Sequence, residues 1–164
     1  IARVMGRLQR LHEERGGQPS DVDDWVGCLA EFSTGASGVF ESAKTCAGRG
    51  DGATGQDFCE VNGTEGSLVY ELGDPHHVRR ARPGGAFERV PVPQELLTPP
   101  GSPRDPLAGD PLVGFRYDQA FEFVSAFREG RDFRPSFADG VRVQAVIEAI
   151  VASARERREV EVRS

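Results

Sequence analysis

Seven prolines fall between Pro91 and Pro111, and they divide this chain in two. Each lacks a backbone donor and carries a fixed φ, so the stretch cannot sustain a helix or a central strand. It reads as a long connector pinned to the surface. Before it, apolar residues come in short runs broken by glycine; after it, they recur at helical spacing. A front half of strands and a back half of helices is an α+β layout: a mostly antiparallel open sheet with helices packed on one face.

The front half begins with IARVMGRLQRL. Ile1, Val4, Met5, Leu8 and Leu11 fit a helical face, whereas Val4 and Leu8 against Arg3, Arg7 and Gln9 also fit a strand. Periodicity alone favours the helix. Residues 12–23 are polar, with Gly-Gly and Pro, and read as a loop. DWVGCLAEF and GVFESAKTC, joined by STGAS, predict a β-hairpin, with Trp25 and Leu29 on one face and Val26, Cys28, Ala30 and Phe32 on the other. Residues 47–56 hold four glycines and read as a loop. Strands are expected at about 57–62 and 67–72, then a polar, basic stretch over 73–86, then an edge strand in FERVPVP.

After the connector, Tyr117, Ala120, Phe121, Val124 and Phe127 share a helical face that ends at Gly130. Ser136 and Asp139 resemble a capping box for a second helix, with Val143, Val146, Ile147, Ile150 and Ala154 on one stripe. Each buried large side chain is worth about 1.5–3 kcal/mol, so both helices are expected to dock on a sheet. REVEVRS alternates and predicts a last strand.

The whole chain, 164 residues, suits a single domain (1–164) with its own core. A net charge of −6 argues against a nucleic-acid partner. No apolar run is long enough for a membrane span. Cys28, Cys46 and Cys59 are odd in number and show no CxxC spacing, which points to a reducing, cytoplasmic setting with the thiols mostly buried. The chain opens on Ile1 inside a patterned stretch, as if cut from something longer.

Few residues carry chemistry. FCEVNGTEGSLVYEL contains the glycosylation sequon Asn62-Gly63-Thr64 and a glycine pair, but a phosphate cradle needs a loop that opens a helix. Between two strand patterns, Gly63 and Gly66 read as a tight connection. His76-His77 lacks metal partners at useful spacing and reads as a solvated basic loop. Glu31, Glu41, Asp57, Glu60 and Glu71 lie on or near strands, with nothing to set two of them face to face for acid/base work. Lys44 is the only lysine. With Arg49 it could grip hydroxyls, a carboxylate or a phosphate, although a lysine that keeps a sheet edge soluble is the default. No Ser/His/Asp set emerges, and no G-x-G-x-x-G opens a βαβ unit.

Several pieces in order resemble the C-terminal domain of the glucose–fructose oxidoreductase / inositol dehydrogenase / MocA (Gfo/Idh/MocA) family. They are Asp23-Asp24, Phe32, the turn Gly35 to Gly38, Ser42 with Gly48-Arg49, and Gly63 to Leu68. The tail adds Phe123, Phe127, Gly130, Pro135-Ser136-Phe137, Asp139-Gly140, Gln144, Ala149 and Ser153. The resemblance makes residues 1–15 the family's first strand of this domain, trailing into Arg15. It implies a substrate-binding and oligomerisation domain whose parent carries an N-terminal Rossmann domain for NAD or NADP, with the catalytic Lys there. The Rossmann domain is absent from this chain, which is expected to bind no cofactor and to hold no catalytic residue. The implied reaction is hydride transfer at a CH–OH carbon of a sugar, cyclitol or related polyol. Lys44 and Arg49 are the candidate substrate-binding residues, and homo-oligomerisation through the sheet face is implied. Many relatives place a His in the connector; PPGSPRDPLAGDPLVGF has none, which leaves the substrate class open. The alternative is a non-catalytic binding or assembly module that uses its sheet face as an interface.

Overall fold

The computed structural model describes residues 1–46 and 57–163, with only the backbone at residues 111 and 112. The chain forms two compact units, one from Ile1–Cys46 with Arg134–Ser164 and one from Ala47–Phe133. Among the described residues every strand pair is antiparallel.

In the first unit, β1 (Arg3–Gln9), β4 (Trp25–Glu31), β5 (Ser37–Ala43) and β10 (Val160–Glu161) form a sheet in the order β10-β1-β4-β5. Within residues 1–15 the first strand is Arg3–Gln9, as the resemblance implied and the helical count did not, and Arg15 falls in a separate short strand. Val4 is buried on the helix side of the sheet, while Met5, its neighbour, points to the other face. Within the 12–23 loop the two glycines take positive φ and close a small ribbon, β2 (Glu14–Arg15) with β3 (Gln18–Pro19). The β4–β5 hairpin turns at STGAS, where Gly35 sits at φ 86° and donates to Phe32.

Helix α2 (Phe137–Glu156) covers one face of this sheet. The capping box forms with Asp in the Glu position: Asp139 Oδ2 accepts the Ser136 N–H at 2.7 Å and Ser136 Oγ accepts the Asp139 N–H. The core is Val4, Cys28 and Ala30 against Ala149, flanked by Val146, Ile150, Val160 and Val162. Of the predicted stripe of α2, Val146 and Ile150 pack against this core, while Val143 and Ile147 stay exposed and the most buried positions are the small residues Ala149 and Ser153. Gly6 explains this. A Cβ there would lie 2.8 Å from both the Cγ2 and the carbonyl oxygen of Ile150, so helix and strand approach more closely than any larger residue permits.

The second unit holds β6 (Phe58–Gly63), β7 (Gly66–Glu71), β8 (His77–Ala81) and β9 (Glu88–Pro91) in chain order, with β9 at an edge as its prolines require. Strand β8 corrects the reading of 73–86 as a polar stretch with His76-His77 in a solvated loop. Its charges are satisfied across strands: Arg79 meets Glu71 at 2.8 Å, and Arg80 meets its register partner Glu88 at 2.6 Å. His76 Nε2 donates to the Pro106 carbonyl at 2.9 Å, and His77 Nδ1 donates to Asp74 at 2.8 Å. The connector holds one 3-10 turn (Gln94–Leu96) and is tied to α1 (Pro111–Glu129) by Arg104. That guanidinium pairs with the buried Asp118 and also donates to the Leu97 carbonyl at 2.8 Å. The apolar stripe of α1 is less buried than its spacing predicts: Tyr117, Ala120 and Val124 are exposed, and Phe127 is 83% exposed.

Of the cysteines, Cys28 alone is buried, which pushes its thiol pKa up; Cys46 and Cys59 are exposed, against expectation. No described helix is long and apolar enough to cross a membrane.

Candidate functional site

Strands β4 and β1 end at a buried carboxylate. Asp24 directly precedes β4, and its Oδ2 accepts the N–H groups of Leu11 at 2.7 Å and His12 at 2.9 Å, where the chain leaves β1. Its other oxygen pairs with Arg15 of the β2–β3 ribbon. The two backbone donors, then Arg15, hold the Asp24 carboxyl below its ordinary range despite burial. The Asp24 carbonyl accepts the Lys44 N–H at 2.9 Å, which fixes the end of β5 as well. One residue thus organises the sheet end from which Lys44 projects.

Lys44 is exposed, just past β5, and makes no ion pair among the described residues. Arg49 lies outside the described residues, so nothing shown brings the two candidate cations together. The sequence reading gave no role to Asp24, although Asp23-Asp24 and Arg15 were both visible as parts of the resemblance. Their pairing was not legible, because it depends on how the loop folds back over nine positions.

The strand carboxylates have local partners rather than one another. Glu41 accepts from Trp25 Nε1 at 2.7 Å, Glu60 from Asn62 Nδ2 at 2.9 Å and Glu71 from Arg79, while Glu31 lies 4.0 Å from Arg3. Among the described residues no three His, Cys, Asp or Glu side chains converge for a metal. Asn62 also accepts from Ser67 Oγ at 2.5 Å across the β6–β7 turn, which supports the reading of Gly63–Ser67 as a tight connection.

The face of the first sheet opposite α2 carries an apolar row. Met5, Leu29 and Val39 are register partners across three strands and are 52%, 56% and 78% exposed. Arg3 and Arg7 flank the row on β1, and Glu41 flanks it on β5. This arrangement presents an exposed apolar wall; among the described residues it contains no nucleophile with a base in reach.

Residues 2–162 match the model of the oxidoreductase family's C-terminal alpha/beta domain. A levoglucosan dehydrogenase from Pseudarthrobacter phenanthrenivorans is 32% identical over 96% of this chain, but only 42% of that protein is covered. Among solved structures, an oxidoreductase domain protein from Kribbella flavida is 33% identical with a TM-score of 0.78, covering 100% of this chain and 45% of its own. A levoglucosan dehydrogenase in complex with NADH and levoglucosan is 29% identical with a TM-score of 0.81, covering 98% and 44%. The chain spans less than half the length of these relatives. Its matched residues, antiparallel sheets and two helices place it in the Gfo/Idh/MocA oxidoreductase family, as that family's C-terminal alpha/beta domain.

Proposed function

We propose that residues 1–164 act as one substrate-binding and dimerisation domain of an NAD(P)-dependent oxidoreductase that transfers a hydride at a CH–OH carbon of a sugar, cyclitol or related polyol. The observation that carries this reading is the likeness, over 98% of the chain, to a dehydrogenase solved with NADH and levoglucosan. The domain's contribution is orientation: holding the reacting carbon where the cofactor can reach it, which lowers the barrier through proximity. Lys44 and Arg49 are assigned to the pocket rim as hydroxyl-contacting groups.

The described residues do not fit a dinucleotide. A pyrophosphate needs free N–H groups at a helix N-terminus behind a glycine-rich loop. The α2 N-terminus is closed by its own Ser136 and Asp139, with Asp139 negative where a phosphate would sit. Gly63 and Gly66 join two strands and open no helix. The nicotinamide cofactor is accordingly assigned to a Rossmann domain preceding this one. In the second unit the exposed stripe of α1, and in the first unit Phe137 at 98% exposure, are each apolar surface of the kind an adjoining domain buries. The Met5–Leu29–Val39 row supports dimerisation through the sheet face, and it equally suits the second reading, a non-catalytic assembly module.

The test is to extend the reading frame upstream of Ile1 and assay the whole protein against a sugar and polyol panel. NAD(P) reduction with at least one polyol, with no NADH binding by residues 1–164 alone, supports the oxidoreductase reading. A start codon immediately before Ile1, or micromolar NADH affinity in the isolated chain, overturns it.

A further inference from the structure

Asn62 is the only asparagine of the chain, and Gly63 follows it. An asparagine side chain can close a five-membered ring with the backbone nitrogen of the next residue. A Cβ on that next residue crowds the ring, and glycine has none. At Gly63 the space is open: a Cβ would meet only the Gly66 carbonyl oxygen, at 3.9 Å.

The position is also one that water and base can reach. Among the described residues β6 is an edge strand, its whole length is exposed, and Asn62 and Gly63 end it. Only Thr64 and Glu65 separate Gly63 from its register partner Gly66, so fraying of that terminal pair frees the Gly63 N–H.

The side-chain amide supplies a second, independent observation, because it is held at both ends. Asn62 Oδ1 accepts the O–H of its register partner Ser67 at 2.5 Å, and Nδ2 donates to Glu60 at 2.9 Å. A hydroxyl on the carbonyl oxygen polarises the amide carbon and stabilises the negative charge that an attacking nitrogen drives onto that oxygen.

We propose that Asn62 is a self-modifying site, converted through a succinimide to isoaspartate and aspartate. The Gly63 nitrogen loses its proton to solvent base and bonds to Asn62 Cγ. The Cγ–Nδ2 bond breaks, and the amide leaves as ammonia with its third proton taken from water. Water then splits one of the two carbonyl–nitrogen bonds of the ring, and no oxidant, reductant or cofactor takes part. The Ser67 hydroxyl stabilises the oxyanion of the first step. The product sets a carboxylate beside Glu60, where an amide donor stood, and isoaspartate adds a methylene to the backbone of β6; both loosen the β6–β7 tip. The site rests neither on the oxidoreductase reading nor on the Met5–Leu29–Val39 row.

The test is intact-mass analysis of the 164-residue chain held in mildly acidic and in mildly alkaline buffer, with a urea-unfolded sample alongside. The folded chain should gain one mass unit with first-order kinetics, faster in the alkaline buffer, and fragmentation should place the gain at Asn62. Gly63→Ala should slow the gain by about tenfold or more, through crowding of the ring. Ser67→Ala should slow it about tenfold in the folded chain, the worth of one hydrogen bond to developing charge, and leave the rate in urea unchanged. A Ser67 that merely held the turn closed gives the opposite result, since a looser tip reacts faster. No mass gain in the folded chain over a period in which the unfolded one converts, or a folded-state rate in either variant equal to or above that of the wild type, overturns the proposal.

Discussion

The hydroxyl of Ser153, near the end of α2, accepts the Gly6 N–H of β1 at 2.9 Å and donates to the Arg158 carbonyl at 2.6 Å. It thereby caps a strand edge that β10 leaves open, and it holds the turn that returns the chain to β10. Ser153 is 1% exposed, so its hydroxyl serves these two partners rather than water. Ser153→Ala should cost about 1 kcal/mol or more, through the loss of two hydrogen bonds that join helix, strand and turn. Gly6→Ala should cost about as much for a different reason, overpacking against Ile150. Urea midpoints measure both; a change below about 0.5 kcal/mol in either would remove that residue from the account of how helix and sheet are joined.

Asp24 gives the first unit a dependence on acid. Two backbone N–H groups, with Arg15 beside them, favour its charged form in the folded state. The folded carboxyl therefore titrates below the ordinary 3.8 that it keeps when unfolded. Its contribution is complete above that value and is lost as pH falls through the folded one. Asp24→Asn should lower stability at neutral pH and flatten the acid limb of the stability curve. Parallel acid limbs for wild type and variant, from urea midpoints across the acid range, would show that Asp24 is not the titrating group.

What the residues disclosed and what they hid follow one physical division. Elements specified by local chemistry were legible: the Ser136–Asp139 box, the STGAS turn, and strands β6 and β7 around Gly63–Gly66. Elements specified by partners were not. Strand β8 is built from HVRRA, whose arginines look solvated until Glu71 and Glu88 lie across from them. The α2 stripe was read in part: Val146, Ile150 and Ala154 do face the sheet, but counting large side chains passed over Ala149 and Ser153, the most buried positions of the helix. The candidate pocket pair, Lys44 and Arg49, remains an assignment from order along the chain, with only Lys44 placed.

Gly66 occupies φ 151° at the start of β7, and a Cβ there would collide with the carbonyl oxygen of Ala81 at the end of β8. The position is thus held to glycine by a neighbouring strand as well as by its own dihedral. Gly66→Val should destabilise the fold by more than about 1 kcal/mol. Gly63→Ala is the contrast, since its Cβ would meet only the Gly66 carbonyl oxygen at 3.9 Å, an ordinary contact. Thermal melts of the two variants should separate clearly. Equal melting temperatures would mean that β7 and β8 can spread apart without loss.

Leu29 is the centre of the row Met5–Leu29–Val39, and its side chain faces away from the Val4–Ala149 core. A two-fold axis parallel to the strands would lay β1 of one copy over β5 of the other. That operation brings like to unlike: the apolar rows meet, and Arg7 approaches Glu41 of the second copy, a self-complementary pattern suited to an isologous dimer. Leu29→Asp places two like charges at the centre of such an interface while leaving the folded core of each copy untouched. The wild-type chain should therefore elute as a dimer and the variant as a monomer by light scattering, with far-ultraviolet dichroism unchanged. A monomeric wild type, or a variant that remains dimeric, would leave the exposed row without the partner proposed for it and move the search for an interface to the stripe of α1.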